Sequence, residues 1–399
     1  MRILMATSKL YPPQFYGGAE MSTHATSLLL RQLGQDVAVL ASLAPKGALT
    51  LRNRLEKRFR PGHQCPADHT LGYPVFRGWE PKSAGKEMLE RFAPDVVFAQ
   101  SGEVVAMAEV FLALGLPVCV FLRHTHVQHL GGTVRAAPGL RYIANSQHTA
   151  AFYRRHCAVD CTVLTPPVIP ELYRTATDGS RVVYINPSPM KGIDVVLRLA
   201  EQRPDIPFDI VDSWTLPAWM TAASRERAAR LPNVRWRPAV ADMRQVYQHA
   251  KLLLMPSGVG HPEWVEAWGR AATEAQVNGI PVIASSSGGL PEAVGPGGVV
   301  IDVDAPHQDW LRALSTLWDD PAAYGRAAEA ALRHSRRPDI HPNRQVQGLL
   351  RRVQRWFGQP NRSVGDAVHS AKDRLSPGSG VDSRLDSRLD SRLTVPGYL

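Results

Sequence analysis

Short unbroken apolar runs alternate with stretches of helical period along most of the chain. In the first part, Ile3–Ala6, Val37–Leu40, Val96–Ala99, Val118–Leu122 and Tyr142–Ala144 read as strands. Helices are predicted around Ala19–Leu33 and near Lys86–Arg91, and Val104–Leu114 is a further apolar stretch in the same alternation. Strands apolar throughout and joined by helices predict a parallel sheet covered on both faces. The segment Thr165-Pro-Pro-Val-Ile-Pro170 is too rich in proline to continue either element and reads as a hinge. After it the alternation restarts: strands Val182–Ile185, Phe208–Val211, Val234–Trp236, Leu252–Met255 and Val282–Ala284, helices Val195–Gln202 and Met243–His249. The expected architecture is α/β, two doubly wound domains facing across a cleft, residues 1–165 and 171–342. Residues 343–358 are expected to form a C-terminal helix that returns to the first domain. Ligands of open sheets sit outside the carboxyl ends of the strands, so the cleft is the expected site.

Composition narrows this picture. The 399 residues suffice for two domains with separate cores, and no run reaches the roughly 18 apolar residues of a membrane span. The opening Met1-Arg-Ile-Leu-Met-Ala-Thr reads as a first strand, not a signal peptide. Four cysteines in a chain of this length make no disulfide framework, so a cytoplasmic protein is expected. The formal charge of +10 favours anionic partners. No nucleic-acid-binding signature accompanies it, and nucleic acid is not an expected partner. Two basic stretches stand out: Arg52 to Arg60, and Arg344 to Arg355 with Val346, Leu349, Leu350, Val353 and Phe357 at helical spacing. Each reads either as a solvated helix face or as a surface that docks on an anionic membrane. Residues 359–399, with Asp382-Ser-Arg-Leu three times in tandem, lack the apolar content to fold alone and are expected to be disordered.

The densest chemistry lies in Glu266-Ala-Trp-Gly-Arg-Ala-Ala-Thr-Glu274, followed by the strand Val282–Ala284 and the turn Gly288-Gly289-Leu-Pro-Glu292. A helix starting near Ala267 would carry Glu274 about 10 Å along its axis on the face of its first residue. Its free N–H groups suit a phosphate or polar hydroxyls, and the deeper carboxylate suits a ribose cis-diol. A nucleotide diphosphate-sugar is long enough to touch both. Gly17-Gly18 after the first strand lets backbone approach a diphosphate. Lys191, in Asn186-Pro-Ser-Pro-Met-Lys191-Gly192, would supply a cation, and His124 ends the strand Val118–Leu122. His124 and His126 share a face of an extended strand, which keeps a metal site as an alternative.

The run from Pro256-Ser257 to Glu292 resembles the E-x7-E signature of retaining glycosyltransferases of the GT-B fold, the large family-four group. The resemblance extends over residues 1 to 358, with Gly17-Gly18-Ala-Glu20 similar to the family's Gly-Gly-x-Glu loop. It implies transfer of a hexose from a nucleotide-sugar to an acceptor hydroxyl with retention, without metal or other cofactor. His124, Lys191 and Glu266 would be catalytic. Gly17, Gly18, Asn186, Lys191, Glu266, Ala267, Trp268, Gly269 and Glu274 would bind donor, Glu274 at the ribose. Asn186 stands where the family carries an arginine, which removes one cation from leaving-group stabilisation; Arg270 and Arg181 are candidates to compensate. The acceptor could be lipid-linked or a saccharide in cell-envelope synthesis, met at the inner membrane face. A sugar-nucleotide epimerase or hydrolase, and a non-catalytic binding protein, remain alternatives on the same fold.

Overall fold

The computed structural model describes residues 1–59, 63–212 and 218–358. The repeat-bearing segment expected to be disordered lies outside the described residues, as does Arg60 of the first basic stretch. The first half carries strands β1 (Arg2–Ala6), β2 (Asp36–Ser42), β3 (Ala67–Asp68), β4 (Val75–Gly78), β5 (Val96–Ala99), β6 (Val118–Leu122), β7 (Leu140–Ala144) and β8 (Cys161–Val163). Between them run helices α1 (Gly18–Gln32), α2 (Ala48–Phe59), α3 (Gly85–Arg91), α4 (Val104–Ala113) and α5 (Gln147–Cys157). The second half carries β9 (Arg181–Ile185), β10 (Phe208–Val211), β11 (Val234–Arg237), β12 (Ala250–Met255), β13 (Val282–Ser285) and β14 (Gly298–Ile301). Its helices are α6 (Ile193–Gln202), α7 (Ala218–Ala229), α8 (Arg244–Tyr247), α9 (Arg270–Gln276), α10 (Leu290–Val294), α11 (His307–Asp319) and α12 (Pro321–Ser335), and α13 (Pro342–Phe357) closes the described chain.

Strand order is β3-β4-β2-β1-β5-β6-β7-β8 in the first sheet and β11-β10-β9-β12-β13-β14 in the second. Every pairing is parallel except the short β3–β4 contact. The unbroken apolar strands explain why. In β1, Leu4 and Ala6 enter one core while Ile3 and Met5 enter the other, so both faces must be roofed by helices. Val182 and Tyr184 of β9 enter one core of the second half, Val183 the other. The chain reverses its direction of winding between β1 and β5 in one sheet and between β9 and β12 in the other. At such switch points the loops after adjacent strands part and leave a crevice.

Although α13 follows the second half in sequence, Val346, Leu349, Leu350 and Val353 pack with Ile3, Met5, Leu29 and Leu30 of the first. Their spacing gives one apolar stripe, and that stripe is spent on the core. Helix α9 differs from expectation. It starts at Arg270, because Gly269 before it adopts the left-handed φ of +91°, where a Cβ would collide with Leu290. Glu266 therefore stands in the loop ahead of the helix, and the two glutamates do not share a helical face.

A candidate active site in the cleft

At the β9–β12 switch point, the loop after β9 carries Lys191 against the loop after β12. Gly192, at φ +80°, has no room for a Cβ against the Pro256 carbonyl, so the two loops touch through backbone. Lys191 pairs with Glu266 and lies 5.0 Å from the centre of the Trp264 ring. Ser257 donates to the same Glu266 carboxylate at 3.2 Å, and the Glu266 amide donates to Ser287 at 3.1 Å. The turn after β13 locks this from behind: Gly289 donates its N–H to the Glu266 carbonyl at 2.8 Å. Gly288, at φ +58°, lies so close to that carbonyl that a Cβ would displace it. Both ionic side chains are only slightly exposed, 12 % for Lys191 and 15 % for Glu266. The result is a buried-edge ion pair fixed by three loops.

The first half approaches this pair from the end of β6. His126 lies 6.4 Å from Trp264 and 5.9 Å from His124, ring centre to ring centre. Burial, with smaller contributions from His126, His129 and Lys9, holds His124 near a pKa of about 4, so it is neutral at pH 7. Its Nδ1 is buried without a partner among the described residues. The same holds for Asn186 Oδ1 and Ser188 Oγ in the loop after β9. Asn186 adopts φ +68°, a conformation that asparagine tolerates better than most residues with a Cβ. Gly17 stands against the Glu20 carboxylate, while a Cβ on Gly18 would meet open space. Gly17 precedes α1 without a side-chain cap, which leaves the first amides of a 15-residue helix to other partners. Ser101, after β5, donates to Glu20 at 3.1 Å across the first switch point.

Glu274 lies deeper. Arg270 donates to one of its oxygens at 2.6 Å and Tyr247 to the other at 3.0 Å, with the residue 7 % exposed. Arg270 also donates to Tyr173 at 2.7 Å, to the Pro167 carbonyl at 2.8 Å and to Ser22 of α1 at 3.2 Å. Arg181, at the opposite end of β9 from Asn186, pairs with Asp209, which also holds Arg235 and Arg237. Neither arginine is therefore free to replace the cation missing at position 186. Lys9, which no motif marks, acts electrostatically on both His124 and Glu20. The Trp268 side chain packs in the core of the second half and reaches Thr273 at 3.3 Å, so only its backbone remains to serve a ligand.

Other partners come from segments distant in sequence. Trp264 bridges the histidines and Lys191. Arg77, fully buried and paired with Asp68 at 2.6 Å, donates to the carbonyls of Tyr11 and Pro12 and so fixes the loop leading to Gly17. Glu292 accepts from the amides of Gln147 and His148 at 2.8 Å each, joining α10 of one half to the start of α5 in the other. Among the described residues no group of three or more His, Cys, Asp or Glu is arranged to hold a metal ion, the His124 and His126 pair included.

The buried histidines predict a pH response. His24 and His124 both sit near a pKa of about 4 in the folded state, below the usual 6.5, chiefly through burial. His307 and His334 are lowered for the same first reason. The unfolded chain thus binds more protons between about pH 4 and 6.5, and stability falls as pH drops through that window. Glu20, raised by burial, opposes this, one group against several. Melting temperature followed from neutral pH to about pH 4.5 should decline steadily; a flat profile would contradict the burial of these rings.

Two parallel-sheet α/β halves with a cleft at their switch points define the GT-B architecture. Solved structures agree: Anabaena HepE in complex with UDP-glucose superposes with a TM-score of 0.67 at 19% identity, covering 88% of this chain and 99% of that one. Sucrose-phosphate synthase from Thermosynechococcus elongatus gives 0.70 at 14% identity, covering 89% and 99%. Residues 182–334 match the family described as Glycosyl transferases group 1. The D-inositol 3-phosphate glycosyltransferase of Corynebacterium glutamicum is 40% identical over 98 residues, 24% of this chain and 22% of that protein. Its counterpart from Mycolicibacterium smegmatis is 31% identical over 191 residues, 43% and 41%. The matched stretches thus span less than half the length of these relatives.

Proposed function

We propose that the chain is a retaining, metal-independent glycosyltransferase that moves a hexose from a nucleotide-sugar to an acceptor hydroxyl. The observation that carries this reading is the Lys191–Glu266 pair at the switch point of the second sheet, facing His124 and His126 across the cleft. Without donor, Glu266 holds the Lys191 ammonium in place. With donor, the diphosphate competes for that ammonium, and the released carboxylate accepts from hexose hydroxyls. The first amides of α1, beyond Gly17-Gly18, face the same diphosphate from the other half. The bond from the anomeric carbon to the leaving phosphate breaks as the acceptor oxygen arrives on the same face, and the departing phosphate oxygen takes the acceptor proton. No side chain acts as nucleophile, so positioning and charge stabilisation supply the catalysis. Neutral His124 lines the sugar subsite. Glu274 reaches the ribose only by sharing an oxygen that now serves Arg270 or Tyr247.

With Asn186 in place of an arginine, Lys191 is the main charge on the leaving group, and slow turnover is expected. The same substitution favours the second reading, a protein that binds donor without transferring it. No helix among the described residues is long and apolar enough to cross a membrane. A cytoplasmic protein that meets a lipid-linked or saccharide acceptor at an anionic membrane face completes the proposal.

A thermal-shift panel of UDP-, GDP-, ADP- and dTDP-sugars tests it. One donor at about a hundred times its Kd should stabilise the fold by about 2.7 kcal/mol, a shift of several degrees. No response to any donor would sink the nucleotide-sugar reading. Release of nucleotide with an acceptor such as inositol 3-phosphate, suggested by the relatives' names, separates transfer from mere binding. Release without any acceptor would mean hydrolysis.

A further inference from the structure

Helix α2 is amphipathic in the inverted sense. Its buried residues are the polar Thr50 and Asn53, while Leu51, Leu55 and Phe59 are 62 %, 52 % and 80 % exposed. Hydrogen bonds, not apolar packing, hold it down: Thr50 donates to the Ala44 carbonyl at 2.7 Å and Asn53 to the Arg77 carbonyl at 3.4 Å. At 100° per residue the three outward apolar residues fall within an arc of about 80°. Exposed Arg54 and Arg58 flank that arc on one side and exposed Arg52 on the other. Trp79, 49 % exposed, extends the apolar surface beside α2, with the Arg54 guanidinium 5.9 Å from its ring centre.

We propose that α2 is the element by which this protein docks on an anionic lipid bilayer, its leucines and Phe59 entering the headgroup boundary and its arginines meeting lipid phosphates. An apolar stripe left in water and bordered by cations fits that occupant better than an acidic protein groove, because the cations point sideways along the stripe on both flanks. The other basic stretch is excluded by packing, since the apolar side of α13 is buried in the first core and its exposed residues are arginines and uncharged polar side chains. The docking stands on α2 alone. Its use, to bring the cleft to a lipid-borne acceptor, rests on the glycosyltransfer reading.

The test is flotation of the full chain with vesicles of phosphatidylcholine, with and without phosphatidylglycerol. The expected result is binding to the anionic vesicles at low salt, at least about tenfold weaker to phosphatidylcholine alone. The double variant Leu55→Glu, Phe59→Glu should lose at least tenfold in binding, and Arg54→Gln, Arg58→Gln should lose most of the salt dependence. Both should melt like the unaltered protein, because these side chains are exposed. The pair Arg351→Gln, Arg352→Gln on α13 should bind normally. No flotation, equal flotation of both α2 variants, or loss confined to the α13 pair would overturn the proposal. So would a dimer in light scattering that the α2 variants abolish, which would assign the stripe to a second copy. A chain that floats through α2 but shows no donor-induced melting shift keeps the docking and loses the transferase.

Discussion

Glu274→Ala will destabilise the fold by about 3–5 kcal/mol before any question of ligand arises. Its carboxylate is the charge partner of Arg270, whose guanidinium is buried between the halves and bonded to Tyr173, Pro167 and Ser22. Removing one partner of a buried pair leaves the other uncompensated, which costs far more than the pair contributes over an apolar substitute. At roughly 1.3 °C per kcal/mol for a chain of this size, the melting temperature should drop by about 4–7 °C. Tyr247 also loses its acceptor. An unchanged melting temperature would show that the network is not formed in solution. Weakened nucleotide binding by this variant therefore says nothing about the ribose. Glu274→Gln also removes the charge but keeps the shape and an acceptor oxygen for Arg270, should lose less stability than the alanine variant, and is the variant on which nucleotide affinity is to be measured.

Lys191→Ala will lower turnover by about 10²–10⁴-fold while the protein stays folded. The cation lies at the edge of the cleft, where removal leaves Glu266 with water and Ser257 as partners, and transition-state charge on a leaving diphosphate is worth several kcal/mol per well-aimed donor. The effect should fall mainly on kcat, because charge on the bridging oxygen grows as the bond breaks. Turnover of released nucleotide, measured with the donor that the melting screen selects, gives the answer. Activity within a factor of about three would move the leaving-group role to Lys9 or to the α1 amides. Lys191→Arg should recover part of the loss.

Much of this molecule could be read from the chain because its strands are apolar on both faces and bounded by proline or glycine. Val118–Leu122 and Phe208–Val211 coincide with strands residue for residue. Helix α9 was misjudged by three residues: nothing local distinguishes Gly269 in a left-handed turn from a glycine at a helix start until Leu290 is seen against it. The apolar pattern does not announce helices α5, α7, α10, α11 and α12 or strands β3, β4, β8 and β14. In α7 and α12, small alanines give little contrast between faces. The meeting of Lys191 with Glu266 was implied only by motif, since 75 residues separate them. Glu292 stands in the motif run, but its bonds to the α5 amides, like the partners of Arg77 and Trp264, lie in distant segments that no spacing rule announces. Helix α2 was visible as a basic stretch, but whether its leucines faced core or water depended on Thr50 and Asn53 taking the inward positions.

Arg270 carries one more consequence. A single guanidinium is tied to its own helix, to the segment joining the halves and to α1 of the opposite half. Loss of that one group would therefore untie all three segments at once.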